Sequence, residues 1–100
     1  MAVRCPVPAN PYSGNRVQYV YAIRRPDIGE VKIGITVNPV ARLTGLQGAH
    51  GAPLEMVLCL PGTEADEKAL HARFHADQLL GEWFRESPAI TAWITEHAPR

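Results

Sequence analysis

Two runs rich in β-branched and aromatic residues, joined by a turn, restrict this chain more than any other feature. Tyr19-Val20-Tyr21-Ala22-Ile23 is followed nine residues on by Lys32-Ile33-Gly34-Ile35-Thr36, and Pro26-Asp27-Ile28-Gly29 between them carries turn chemistry. The pattern predicts an antiparallel hairpin with strands over 17–24 and 30–36. Side chains alternate across a strand. Val31, Ile33 and Ile35 therefore share an apolar face that belongs in a core, while Lys32, Gly34 and Thr36 share the other. Tyr19, Tyr21 and Ile23 form one face of the first strand. If the apolar faces match, Tyr21 and Lys32 lie on the same side of the sheet. A lysine, a bare glycine and a threonine then stand where burial would call for hydrophobes, which marks that surface as the working one.

The rest of the chain reads as short elements with clear ends. Residues 1–15 hold Pro6, Pro8 and Pro11 and keep no helical or strand period, so an extended lead-in is expected there, with a single domain over 16–100. Asn38-Pro39 is a helix start, with Val40, Leu43 and Leu46 at helical spacing and Gly48 as the stop. A flexible loop containing His50 is expected next. Leu54–Leu60 reads as a third strand ending at Pro61-Gly62. Thr63 caps a second helix that carries Glu64, Asp66 and Glu67 in its first turn and is expected to run to about Asp77. Gly81-Glu82-Trp83-Phe84 reads as a compact aromatic turn. Ser87-Pro88 starts a last helix through Ile90, Trp93, Ile94 and His97, stopped by Pro99. The order β-β-α-β-α-α predicts an α+β fold, a three-stranded antiparallel sheet flanked by helices.

Composition bounds the function classes. The chain of 100 residues, 46% of them hydrophobic, is the size of one domain with one useful core. No apolar run approaches the ~20 residues of a membrane span, and no secretory signal pattern is visible. Cys5 and Cys59 form no metal or redox motif, and Cys59 reads as a buried small hydrophobe. A reducing, cytoplasmic setting and no membrane partner are expected. Ten basic and ten acidic residues give zero net charge, which argues against a general nucleic-acid-coating protein. The charges are nonetheless segregated. Arg16, Arg24, Arg25, Lys32 and Arg42 lie in the first half, and Glu64, Asp66, Glu67, Asp77, Glu82, Glu86 and Glu96 in the second, as suits a site with a cationic side and a carboxylate side.

Taken together, several of these pieces resemble the GIY-YIG nucleases, more closely the small phage and bacterial branch with KIG in the second motif. The matching residues are Tyr19-Val20-Tyr21, Lys32-Ile33-Gly34-Ile35-Thr36, Asn38-Pro39, Arg42, the helix Glu67-Lys68-Ala69-Leu70-His71-Ala72-Arg73-Phe74 and the turn Gly81-Glu82-Trp83-Phe84. They cover roughly residues 17–95 in order. The resemblance implies a divalent-metal-dependent endonuclease acting on DNA. Tyr21 matches the tyrosine that positions or deprotonates the attacking water, and Lys32 stands where many members have a second tyrosine. Arg42 matches the arginine on the scissile phosphate. Glu67 matches the single protein ligand of Mg²⁺ (or Mn²⁺). His71, one turn from Glu67, is a candidate catalytic or phosphate-contacting residue. Tyr19 and Gly34 are candidates for the substrate side.

The chemistry is coherent with those residue types. One carboxylate suffices for Mg²⁺ when waters and a phosphate complete its shell. A guanidinium grips phosphate bidentately. A phenol near pKa ~10 is a poor base at neutral pH, and a close Lys32 ammonium would favour the phenolate. Gly34 would let a phosphate backbone approach. Two features depart from the family pattern. Tyr19 stands where the first motif has glycine, and no asparagine follows Asn38, leaving Glu82 as a candidate for a supporting role. Other readings stand beside this one. The chain could be a catalytically weak or inactive nucleic-acid-binding module of the same fold. Glu67, His71 and His75, spaced by four, could form a helical transition-metal site. Without an attached recognition domain, relaxed or structure-guided cutting is expected, or reliance on a homodimer or a larger partner.

Overall fold

A computed structural model describes residues 17–97. The lead-in expected over 1–15, Cys5, Arg16 and Pro99 lie outside the described residues. The elements in chain order are β1 (Tyr19–Arg25), β2 (Glu30–Thr36), α1 (Pro39–His50), β3 (Glu55–Pro61), α2 (Glu64–Arg73), β4 (Gln78–Leu80), β5 (Trp83–Arg85) and α3 (Pro88–His97), with a 3₁₀ turn at His75–Asp77. The class is α+β, as expected. The sheet, however, has five strands among the described residues, in the order β3-β1-β2-β5-β4, all antiparallel, where three were expected.

The central hairpin forms for the reasons legible in its sequence. Pro26 and Asp27 open the turn, and Gly29 takes a positive φ of 67°, a conformation glycine adopts without strain. Tyr21 pairs with Gly34 and Ile23 with Lys32, so the tyrosine and the lysine do share a face. Both faces of the sheet are covered. Val20, Ala22, Val31, Ile33 and Leu58 pack under Phe74, Phe84, Ile90, Trp93 and Ile94. On the other side, Tyr19, Tyr21, Ile23, Met56 and Cys59 pack beneath Leu43 and Leu46 of α1. The face that carries Lys32 is therefore half core. A register shift in the β1–β3 pairing leaves Val57 without a partner and sends both Val57 and Leu58 to the α3 side.

Three boundaries differ from expectation. Helix α1 runs past Gly48 and closes at Gly51, which takes the left-handed conformation. The closure is held by Gln47, whose Nε2 donates to Ala52 O at 2.6 Å and whose Oε1 accepts from Leu54 N at 2.8 Å. Val40, expected on the buried stripe, is 64% exposed, and Pro39 is buried in its place. Helix α2, started by a Thr63–Asp66 capping box, ends at Arg73 rather than near Asp77. The chain leaves it at Phe74, whose ring enters the core against Trp93, and reverses through 75–77 into β4. The aromatic turn is the tip of a β4–β5 hairpin that extends the sheet beside β2.

Candidate active site

Tyr21 organises the site. Its residue is wholly buried, yet its hydroxyl reaches the one place on the sheet face where a side chain is missing. A Cβ built on Gly34, its partner across the ladder, would overlap the Tyr21 hydroxyl and the Glu82 carboxylate and lie 2.7 Å from Tyr21 Cζ. Gly34 was expected to admit a substrate phosphate. In the folded chain the space is taken by Tyr21 and Glu82, so the glycine is required for their contact.

Glu82 comes from the β4–β5 turn, where Gly81 adopts a φ of 58°. Its backbone is pinned to β2, because Ile33 N–H donates to Glu82 O at 2.9 Å. Its carboxylate accepts the Tyr21 hydroxyl and stands 3.3 Å from Lys32 Nζ. The ammonium also lies 5.6 Å from the Trp83 ring centroid. Burial pushes the Tyr21 phenol well above its ordinary range, and the nearby Glu82 and Glu67 charges add to the shift. Arg42 opposes it without prevailing. Lys32 is not among the charges that act on the phenol. The lysine's charge is set against Glu82, and burial together with the carboxylates outweighs Arg42 at the phenol.

Glu67, in the first turn of α2, faces the same centre. Its Oε2 is buried and has no hydrogen-bond partner among the described residues. Burial raises its pKa, and Glu82 raises it further, while His71 acts in the opposite sense. A buried carboxylate oxygen without a donor is costly to maintain unless something positive comes to it. A hard oxygen donor of this kind fits a divalent cation such as Mg²⁺, whose remaining positions go to water and phosphate. No group of three or more His, Cys, Asp or Glu is arranged to hold a metal among the described residues. The transition-metal reading of Glu67, His71 and His75 has no support here, because α2 ends before His75, which instead contacts Gln78.

His71 lies beside Glu67 and is anchored through one ring nitrogen and its ring edge. Its Nε2 is 2.9 Å from Ile33 O and must donate there, and its ring stands edge-on to Phe84 at 5.0 Å. It ties α2 to β2 and so fixes where Glu67 sits. Arg42 is exposed on α1 and makes no ion pair among the described residues. It borders an open groove of about 440 Å³ together with Thr36, Asn38, Ala41, Gly45 and Leu46. Tyr19, a candidate for substrate contact, is 3% exposed and belongs to the apolar cluster under α1.

Four elements and one turn thus converge: Tyr21 from β1, Lys32 and Gly34 from β2, Arg42 from α1, Glu67 from α2 and Glu82 from the β4–β5 tip. Glu82 is the member that sequence reasoning placed only in a supporting role. Its signal was a charged residue inside an otherwise aromatic and glycine turn. Among known proteins, the sequence model of the T5orf172 domain matches residues 18–96. No curated protein and no solved structure matches the chain.

Proposed function

We propose that this chain, which belongs to the T5orf172 domain family, is a divalent-metal-dependent endonuclease that hydrolyses phosphodiester bonds in DNA through a GIY-YIG-type site. The T5orf172 domain is a phage-associated domain of nuclease type. The observation that carries the reading is the convergence on the Tyr21 hydroxyl of Arg42, Glu67 and Glu82, drawn from distant parts of the chain. A cation-binding carboxylate, a phosphate-binding guanidinium and a hydrogen-bonded proton acceptor are the groups that phosphodiester hydrolysis requires.

In this reading Arg42 binds the scissile phosphate. It is exposed, borders the groove and has no carboxylate partner among the described residues to release first. Glu67 holds Mg²⁺ or Mn²⁺, which supplies charge stabilisation at the phosphate and the departing oxygen. Tyr21, Lys32 and Glu82 form the end of the site that receives the attacking water. His71 keeps Glu67 in position through its bond to Ile33 O. Gly34 makes room for the Tyr21–Glu82 contact. DNA is the partner, and among the described residues no helix is long and apolar enough to cross a membrane.

A nucleic-acid-binding module without turnover is the competing reading, favoured by the complete burial of Tyr21. Supercoiled plasmid incubated with the purified chain and Mg²⁺ or Mn²⁺ separates the two. Nicking by the wild type that EDTA and Glu67→Gln abolish supports the nuclease. Gel retardation of DNA with no cut product under either metal supports the module.

A further inference from the structure

The geometry points to Glu82, rather than Tyr21, as the residue that takes the proton from the attacking water. This rests on the nuclease reading above and reassigns one role within it. The phenol is poorly placed to be the base. Tyr21 is 0% exposed, and its hydroxyl is already donating to Glu82. Glu82 lies further out, with 39% of its side chain open to solvent. A water arriving from solvent therefore reaches the carboxylate before the phenol.

The surroundings of Glu82 are those of an oriented base. A carboxylate offers about four lone-pair positions. The Tyr21 hydroxyl takes one and Lys32, at 3.3 Å, approaches another. The Ile33 N–H holds the backbone at 2.9 Å, and the absent side chain of Gly34 leaves the space that this arrangement fills. Tyr21 and Lys32 are then positioning residues, which fix the carboxylate rotamer and leave lone pairs directed outward. In the step itself the water oxygen bonds to phosphorus as its O–H breaks, and that proton goes to the Glu82 carboxylate. The phosphorus–oxygen ester bond breaks with its electron pair on the departing oxygen, which takes a proton from solvent.

The test compares Glu82→Gln, Glu82→Ala and Tyr21→Phe under single-turnover conditions, with thermal melting to confirm folding and fluorescence anisotropy on a labelled duplex to follow binding. Loss of a general base lowers rates by ~10²–10⁴-fold. Glu82→Gln should lose rate in that range while duplex affinity stays within about threefold of wild type. Tyr21→Phe, which loses only an orienting bond, should fall by no more than about tenfold. Sodium formate, a small carboxylate, should restore cleavage by Glu82→Ala, and sodium chloride should not. Should Glu82→Ala fail to fold, the near-isosteric Glu82→Gln decides. Formate without effect on folded Glu82→Ala, or Glu82→Gln cutting at the wild-type rate, overturns the assignment and leaves the nuclease reading intact. A wild type inert with every divalent metal removes both.

Discussion

Lys32 Nζ and Glu82 Oε1 meet 3.3 Å apart between the second strand and the β4–β5 turn, and this contact bears on what either residue can do for Tyr21. A lysine paired with a neighbouring carboxylate has less of its charge to offer a phenolate. The pair instead gives Glu82 a counter-charge in a half-buried setting that already contains Glu67. Two carboxylates facing one centre would repel each other strongly without it. Lys32 thus enters the site through Glu82.

Gly34→Ala tests the crowding at this centre. The added methyl would overlap the Tyr21 hydroxyl and Glu82, both held by other contacts, so neither can yield cheaply. Overpacking of this kind costs about 1–3 kcal/mol. A melting temperature lower by roughly 5–15 °C is expected for a domain of this size. Tyr21→Phe in the same chain removes the oxygen that clashes and should recover part of the loss. Additive effects in the double variant would show that the clash lies elsewhere.

Glu67 should be an activity-for-stability site. Its carboxylate pKa is raised by burial and by Glu82, so folding disfavours its charged form. The sign follows directly. A raised folded pKa gives stability that is present below the unfolded value and lost as pH rises through the folded one. Above that folded pKa the wild type has lost it, and Glu67→Gln, which carries no charge, should melt a few degrees higher there. The difference should close as pH falls below the carboxylate range. Added Mg²⁺ should raise the melting temperature of the wild type and leave Glu67→Gln unchanged, because a cation stabilises only the state that binds it.

How much of this could be read in advance depended on the range of the interaction. The hairpin itself, the Gly29 turn, the Asn38 cap and the Thr63 cap are settled by neighbours within a few residues, and all were legible. Strands β4 and β5 were not. Each has three residues, too few to show a period of two, and β5 joins the sheet only by pairing with β2, some fifty residues earlier in the chain. The end of α1 was misplaced at Gly48 because the Gln47 bonds to Ala52 and Leu54 exist only once the loop has folded back. The same limit applied at the site. Tyr21 and Lys32 were correctly put on one face, but the residue that contacts both, Glu82, reaches them only through the unseen hairpin.

The Arg24–Glu86 pair should carry part of the acid stability. Arg24 donates twice to the Glu86 carboxylate, at 2.7 and 2.8 Å, and Thr91 Oγ1 donates at 2.8 Å, tying the end of β1 to the start of α3. Burial alone would raise the Glu86 pKa, but these bonds outweigh it and hold the carboxyl below its ordinary 4.5. A depressed folded pKa gives stability that is present above the unfolded value and lost as pH falls through the folded one. Glu86→Gln should therefore lose about 1–2 kcal/mol at pH 7. In thermal melts the gap from wild type should narrow steadily as pH is lowered from ~5 towards 3. A gap independent of pH would mean that the bonds contribute through geometry and not through charge.

Arg42 offers the opposite case, a residue whose loss should be silent in stability and visible on DNA. It is exposed and unpaired with any acid among the described residues, so Arg42→Ala should shift stability by no more than ~0.5 kcal/mol. On duplex DNA the same change removes one phosphate contact. The slope of log affinity against log salt should become shallower by ~0.9, whatever the sequence of the duplex. Arg42→Lys should restore that slope, because one cation releases one counterion, yet leave cleavage well below wild type. A point charge cannot reproduce the bidentate grip of a guanidinium on a phosphate whose charge is growing as the water attacks. Full cleavage by Arg42→Lys would place Arg42 on a flanking phosphate and away from the one that is cut.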